Sequence, residues 1–165
     1  MWGVTGIIYN PEDVTKQEAS TWKIINNDKF RRMITVKDNV RDTMFAAIGA
    51  IKSDKLRSQD FINQADYTDK LAEEMNDTSK DTVDEVLEYL QQVKDNVYSF
   101  ETDSGKIDAI TGKISAGYQW SGDAVYIMQQ AEANDVDLNF AIPEECTNCL
   151  LYTSPSPRDK RQSRM

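Results

Sequence analysis

Histidine is absent from this sequence of 165 residues. Its absence excludes a Ser-His-Asp triad, a Cys-His pair and any zinc site built on imidazole ligands. It also removes the commonest general base near neutral pH. Long apolar runs are absent as well, since no stretch of about 18 apolar residues is available to form a transmembrane helix. The sequence therefore predicts neither histidine-based catalysis nor a membrane span.

Glycine is sparse, with seven residues scattered along the chain. None of them forms the glycine-rich loop that cradles a phosphate group. The first nine residues are apolar, and no basic segment precedes them, so they do not have the pattern of a secretory signal. Either the protein is cytoplasmic or its true N-terminus lies before Met1.

Acidic residues outnumber basic ones, 28 to 19, which gives a formal net charge of −9. A field of this sign repels nucleic acid and favours cationic partners. An acidic surface is also a common source of solubility. Charge alone does not decide between these interpretations.

Hydrophobic periodicity predicts strands and helices that alternate along the chain. We expect Asp38 or Asn39 to cap the helix that begins at residue 40, Thr82 and Glu85 to form a capping box, and Ser121 to cap the last helix. The alternation predicts an α/β fold with a largely parallel sheet. The predicted strands are 3–9, 33–36, 97–100, 114–119 and 137–142, and the predicted helices are 21–25, 40–52, 60–75, 82–94, 104–111 and 122–133.

Three strand-to-helix junctions are polar or aromatic, at residues 38–42, 101–104 and 120–123. In α/β sheets ligands bind outside the carboxyl ends of the strands. These junctions offer several carboxylates, a few hydroxyls and the large ring of Trp120, with Arg41 as the one cation. This set of groups predicts a wall for a cationic ligand. A structural interpretation stays open, in which Asp42 is only a first-turn helix charge and Trp120 is a core residue.

Four blocks of the sequence resemble the spermidine/putrescine-binding proteins of polyamine ABC importers. They are WGVTGI at residues 2–7, RDTM at 41–44, WSGDAVY at 120–126 and IPEECTN at 142–148. The similarity spans nearly all of residues 1–148. It implies an α/β fold that is one lobe of a type II periplasmic-binding-protein-like fold, with a mostly parallel sheet flanked by helices. The lobe is expected to be the second one, incomplete and truncated at both ends.

The resemblance implies a solute-binding receptor, not an enzyme, that captures a polyamine between two lobes and delivers it to permease subunits. A carboxylate at Asp42 would bind a ligand ammonium group, Trp120 would form an aromatic wall, and Thr102 would supply a hydroxyl. Asn39 stands where some members have Asp, so it supplies no charge. The receptor would be a monomer with no cofactor, metal or nucleic-acid partner. It would be a periplasmic or extracellular lipoprotein whose signal region is missing here.

Three alternatives stay open. The first is a binding protein for another organic cation, because Asn39 removes one expected charge. The second is an acid–base enzyme that pairs Asp42 with Glu101 or Asp103, which requires a carboxylate with a raised pKa. The third is an acidic interaction module that uses the charged region 53–95. Within that region, residues 53–80 are longer and more charged than the family pattern, and they carry no functional prediction.

Residues 149–165 change abruptly to a composition rich in Ser, Pro and Arg. The stretch 149–159 resembles the translation of a transposase adapter used in sequencing libraries. We therefore expect a lobe at 1–148 followed by a non-native, disordered tail at 149–165. Cys146 and Cys149 have the CxxC spacing of redox and metal sites. If Cys149 comes from the adapter, that motif is accidental.

Overall fold

The computed structural model describes residues 2–102, 105–147 and 149–151, with the backbone alone for residues 2 and 149–151. Five strands form one sheet in the order β3-β2-β4-β1-β5, and β6 pairs with the first residues of β1. The strands are β1 Trp2–Tyr9, β2 Ile34–Lys37, β3 Ser99–Glu101, β4 Ala116–Trp120, β5 Asn139–Ala141 and β6 Cys149–Leu151.

The sheet is mixed in its pairing but largely uniform in direction. Strand β2 is parallel to both β3 and β4, whereas β1 is antiparallel to β4 and β5. Strands β2, β3, β4 and β5 consequently run the same way, and β1 runs against them. The predicted α/β class and the mostly parallel sheet are confirmed, with β1 as the reversed strand in the described residues.

Helices cover both faces of the sheet. They are α1 Lys16–Ala19, α2 Val40–Ile51, α3 Ser53–Leu56, α4 Gln59–Ile62, α5 Tyr67–Met75, α6 Lys80–Asn96, α7 Gly105–Ile110 and α8 Ser121–Glu132, with 3₁₀ helices at Trp22–Asn26 and Asp28–Phe30. On one face α2 and α6 pack with the first 3₁₀ helix, and on the other face lie α7 and α8. A third apolar cluster joins α2 to the helices α3 to α6.

The core beneath α2 is built around Trp22, which is fully buried. Its ring meets Tyr118 edge-on at 4.8 Å between centroids and Phe45 at 6.0 Å. Gly49 allows this packing, because a Cβ at that position would lie 2.5 Å from Cδ1 of Trp22. Edge-to-face contacts of this kind contribute about 0.5–1.5 kcal/mol beyond the burial of area. The aromatic group thereby fixes α2 against β4.

Several predicted boundaries are wrong. The single helix expected at 60–75 is two helices, α4 and α5, because Ser58 caps α4 and the polar stretch 63–66 interrupts the helix. Helix α6 begins two residues earlier than expected and is capped by Ser79, so the capping box of Thr82 and Glu85 does not form. Thr82 instead donates to Asp77 over 2.5 Å.

Ser121 also differs from its predicted role. It is the first residue of α8, and its Oγ accepts a hydrogen bond from the backbone N–H of Val4 over 3.2 Å. The helix therefore has no side-chain cap, and Ser121 ties α8 to β1. Residues 149–151, which were expected to lie in a disordered tail, form β6 beside residues 2–4. Residues 152–165 lie outside the described residues, so the predicted disorder of that stretch stays a prediction, and so does the predicted non-native origin of the whole segment 149–165.

Candidate functional site

The carboxyl ends of β2, β3, β4 and β5 meet at one edge of the sheet, because these strands run in the same direction. Strand β2 leads into Asn39 and α2, β3 leads into Thr102, and β4 ends at Trp120 directly before α8. The four residues expected to contact a ligand, Asn39, Asp42, Thr102 and Trp120, all lie at this edge. This is the position at which open α/β sheets bind their ligands.

Asn39 is the N-cap of α2. Its Oδ1 accepts hydrogen bonds from the backbone N–H groups of Arg41, at 3.0 Å, and Asp42, at 3.1 Å. The cap satisfies two of the donors that a helix start leaves without partners. The side-chain carbonyl of Asn39 thus caps the helix, and this cap fixes the first turn of α2, in which Asp42 lies.

Asp42 is 9% exposed and faces the sheet. In the part of the chain that the structure describes, its carboxylate forms no ion pair and accepts no hydrogen bond. The carboxylate lies close enough to Tyr118 to affect that residue: burial is the main cause that raises the pKa of the Tyr118 phenol, and the charge of Asp42 raises it further. A nearly buried carboxylate without a counter-charge favours a cation at this point.

Trp120 lies two residues beyond Tyr118 on β4, so both side chains are on the sheet face that α2 covers. Trp120 is half-buried, whereas Tyr118 is fully buried beneath it. A Cβ on Gly3 would lie 3.7 Å from Cε3 of Trp120, an ordinary contact distance, so the ring lies beside the first residues of β1.

Thr5 and Tyr118 are further polar residues that sequence reasoning missed. Thr5 is fully buried on β1 opposite Trp120, and its side chain lies beside the Tyr118 hydroxyl. A signal was available for Tyr118, because alternation along a strand places residue 118 on the same face as residue 120. No comparable signal marked Thr5, whose position depends on the pairing of β1 with β4.

Thr102 follows β3 and is exposed. Strand β2 separates β3 from β4 in the sheet, so Thr102 lies two strands away from Trp120. The two residues share the carboxyl edge of the sheet.

The opposite face of the same edge carries two cations that sequence reasoning missed. Lys106 Nζ lies 2.9 Å from Asp123 Oδ1, and Lys37 Nζ lies 3.8 Å from Asp123 Oδ2. The Lys37 side chain is only 10% exposed. Lys37 and Lys106 flank the junction segments, in which Arg41 is the one cation. These two lysines compensate the charge of Asp123, whereas Asp42 has no such ion pair among the described residues.

Glu101 lies on the α7 face as well, since a Cβ on Gly105 would be 3.3 Å from its Cβ. It accepts a hydrogen bond from Ser99 Oγ over 2.5 Å. Asp42 lies on the other face of the sheet, next to Tyr118. The structure thus does not bring Asp42 and Glu101 together as an acid–base pair. Asp103, the other partner considered for such a pair, lies outside the described residues.

A groove of about 410 Å³ opens beside the edge, between α2, α5 and residues 146–147. Its walls are mainly apolar, and its lining includes the charged residues Arg41 and Asp77. Cys146 lines it as a free, partly buried thiol. Burial raises the pKa of the Cys146 thiol to about 12, and the charge of Glu145 adds to the effect. The side chain of Cys149 is outside the described structure, so the CxxC spacing receives no structural support.

No cluster of three or more Cys, Asp or Glu side chains in the described residues is arranged to hold a metal ion. Among the same residues, no helix is both long enough and apolar enough to cross a bilayer.

No protein-family model matches the sequence, and no curated protein matches it. Solved structures do match. A spermidine/putrescine ABC transporter substrate-binding protein from Streptococcus pneumoniae aligns with a TM-score of 0.69 and 18% identity, over 90% of this chain and 38% of its own. The fold is that of one lobe of a periplasmic binding protein.

Two further solved structures are similar. A putative spermidine/putrescine ABC transporter protein from Listeria monocytogenes aligns with a TM-score of 0.67 and 22% identity, over 90% of this chain and 38% of its own. A lipoprotein of Treponema pallidum aligns with a TM-score of 0.67 and 15% identity, over 99% of this chain and 46% of its own. The chain thus spans less than half the length of these proteins. The expected lobe architecture is confirmed at the level of the fold.

Proposed function

We propose that this chain is a lobe of the solute-binding receptor of an ABC importer, and that the receptor binds a polyamine. The observation that carries the proposal is the carboxylate of Asp42, which is nearly buried at the carboxyl edge of the sheet without a counter-charge in the described residues. Two of the similar structures are of spermidine/putrescine ABC transporter proteins, which supports the same ligand class.

A polyamine is a chain of methylenes that carries ammonium groups, and the proposed site has a group for each part. The Asp42 carboxylate accepts charge-assisted hydrogen bonds from one ammonium. The indole of Trp120 packs on the methylenes and adds a cation–π attraction of about 0.5–2 kcal/mol. The Thr102 hydroxyl, two strands away, contacts a more distant part of the ligand.

Asn39 acts indirectly in this proposal. Its Oδ1 holds the first turn of α2 and so fixes the backbone of Asp42. It contributes no charge of its own, and this lobe therefore supplies one uncompensated carboxylate instead of two. A receptor for a different organic cation with a single charged group is the alternative that this observation favours.

The remaining roles follow from the same proposal. The receptor carries its ligand to permease subunits, works outside the cytoplasmic membrane as a periplasmic protein or an anchored lipoprotein, and is a monomer without catalytic activity. Because similar proteins are more than twice as long, the ligand would be enclosed between this lobe and a second one. Closure about a hinge is the usual motion of such receptors.

Isothermal titration calorimetry on the two-lobed protein tests the proposal. The coding sequence on both sides of the segment that encodes this chain is recovered, and the protein that it encodes is titrated with spermidine and with putrescine. We expect one-to-one binding that is lost in Asp42→Asn and kept in Asp38→Asn, a matched change at an exposed carboxylate of the same edge. A folded product that binds neither polyamine would contradict the ligand class. Binding of a monovalent organic cation alone would support the alternative.

A further inference from the structure

Glu145 is fully buried, although its side chain carries a carboxylate. Three donors surround it: the hydroxyl of Thr21, the hydroxyl of Ser53 at 2.6 Å and the backbone N–H of Trp22 at 3.3 Å. These donors come from two different elements, the start of the first 3₁₀ helix and the start of α3. Among the described residues no Lys or Arg pairs with this carboxylate.

A buried charge of this kind is a costly way to fill a core position. Apolar residues of similar volume often stabilise a fold as well as a buried ionic group does. What the carboxylate adds is geometry, because each oxygen must stay within hydrogen-bond distance of fixed donors. Glu145 therefore fixes the path of its own backbone relative to residues 21, 22 and 53.

The neighbours of Glu145 are held in the same way. The backbone N–H of Glu144 donates to the Ser20 carbonyl over 2.9 Å. Trp22 Nε1 donates to the Cys146 carbonyl over 2.9 Å. Each residue of 144–146 thus has its own bond to the segment 20–22.

The next described contact marks the end of this region. Thr147 Oγ1 donates to the carbonyl of Thr5 over 2.7 Å. Beyond it, β6 pairs with residues 2–4 of β1, whereas residues 5–9 of β1 belong to the main sheet. Residues 2–4 and 149–151 thus form a two-stranded ribbon next to the contact between Thr5 and Thr147.

We infer that Glu145 is a positioning residue that holds residues 146–147, and through the bond of Thr147 the Thr5 region of β1, at a fixed point on the lobe, so that bending between lobes takes place beyond Thr5 and Thr147. The claim about bending between lobes rests on the proposed receptor function. The claim that Glu145 holds its neighbours in place depends only on contacts within this chain. Glu145 touches no proposed ligand group, and it acts through residues 146 and 147.

Hydrogen exchange on the 165-residue chain, read by mass spectrometry, tests the inference without any ligand. Glu145→Leu removes the acceptors at similar volume, and we expect exchange in residues 2–5 and 146–151 to rise about 10- to 100-fold, as for the loss of a hydrogen bond to a charged group. Exchange in α8 should stay unchanged. In Glu145→Gln the amide oxygen can accept from the N–H of Trp22, and the amide NH2 can donate to the hydroxyl oxygens of Thr21 and Ser53. This variant should therefore keep most of the protection that Glu145→Leu loses.

The control variant is Glu144→Gln. The side chain of Glu144 is 59% exposed and pairs with Arg57 at the surface. It should leave ribbon exchange unchanged. If Glu145→Leu does not fold, Ser53→Ala removes one donor and should give a smaller rise at the same residues. Unchanged ribbon exchange in both Glu145→Leu and Ser53→Ala would overturn the inference, and so would a rise that extends equally through α8. Failure of the receptor proposal would appear separately, as absence of ligand binding with the ribbon effect intact.

Discussion

The hydroxyl of Thr147 donates a hydrogen bond to the backbone carbonyl of Thr5 over 2.7 Å, although the two residues are 142 positions apart. This contact joins the first strand to the last segment of the lobe, next to the edge that carries Asp42 and Trp120. Because Thr5 pairs with Trp120 across the sheet, this contact lies beside the proposed ligand site.

Gly49 and Gly122 should respond in opposite ways to replacement by alanine. A Cβ at Gly49 would lie 2.5 Å from Trp22 Cδ1, and Trp22 is fully buried and held through its Nε1, so it has no room to move. We expect Gly49→Ala to lower the free energy of unfolding by about 1–3 kcal/mol, as for overpacking in a core. Urea unfolding followed by circular dichroism measures the change.

Gly122 is the matched control. No atom lies within 4 Å of a Cβ built there, and the residue is in the first turn of α8. Gly122→Ala should raise the free energy of unfolding by about 0.4–1 kcal/mol, because alanine restricts the unfolded chain. Equal effects of the two substitutions would show that the contact between Gly49 and Trp22 is not as close as described.

Cys146 should be unreactive in the folded protein. Burial raises the pKa of its thiol from 9.0 to about 12, so at pH 8 the folded state holds on the order of 1000-fold less thiolate than the unfolded state. We expect Ellman's reagent to label Cys146 slowly in buffer and rapidly in concentrated urea. The Cys149→Ser variant keeps the second thiol out of the measurement.

The same pKa shift has a consequence for stability. The unfolded thiol ionises near pH 9 and the folded thiol near pH 12, so the folded state retains its proton over this interval. The contribution of Cys146 to stability is complete below pH 9 and falls as the pH rises toward 12. Rapid labelling of the native protein at pH 8 would contradict the description of this thiol. So would a free energy of unfolding that falls as steeply between pH 9 and pH 12 in Cys146→Ala as in the unsubstituted chain.

Asp123 should matter for stability more than for binding. Asp123→Asn removes the charge that faces Lys37, whose side chain is 10% exposed, and Lys106. We expect a loss of about 1–3 kcal/mol in the free energy of unfolding, since a nearly buried cation loses one of its charged partners. Asp84→Asn is the control, because the pair of Lys80 and Asp84 is largely exposed and contributes less than about 1 kcal/mol.

Much of the fold could be predicted because its signals are local. The spacing of apolar residues has a helical period over Val40–Ile51, which predicts α2, and it alternates along β4, which predicts a strand. The reversal of β1 could not be predicted, because it depends on contacts between residues more than 100 positions apart. Ser121 illustrates the same limit: its hydroxyl had a plausible local role as a cap, and the more distant N–H of Val4 binds it instead.

The proposed site was predictable only in part. The junctions after β2 and β4 marked Asn39, Asp42 and Trp120, because polar and aromatic residues at strand ends are typical of ligand sites. The pairing of Lys37 and Lys106 with Asp123 was not visible, since it requires the order of β2, β4 and α7 in space. That no described residue forms an ion pair with Asp42 likewise became apparent only when neighbours from separate elements were in place.

The central claim is that Asp42 binds a cation beside Trp120. Its most direct test is a titration of this chain, at low salt, with spermidine, followed by the NMR signal of the Trp120 indole N–H. We predict a saturable shift with a Kd on the order of 1 mM, since one lobe supplies only part of a site. The shift should vanish in Asp42→Asn and persist in Asp38→Asn. A shift that persists in Asp42→Asn, or vanishes in both variants alike, would contradict the claim.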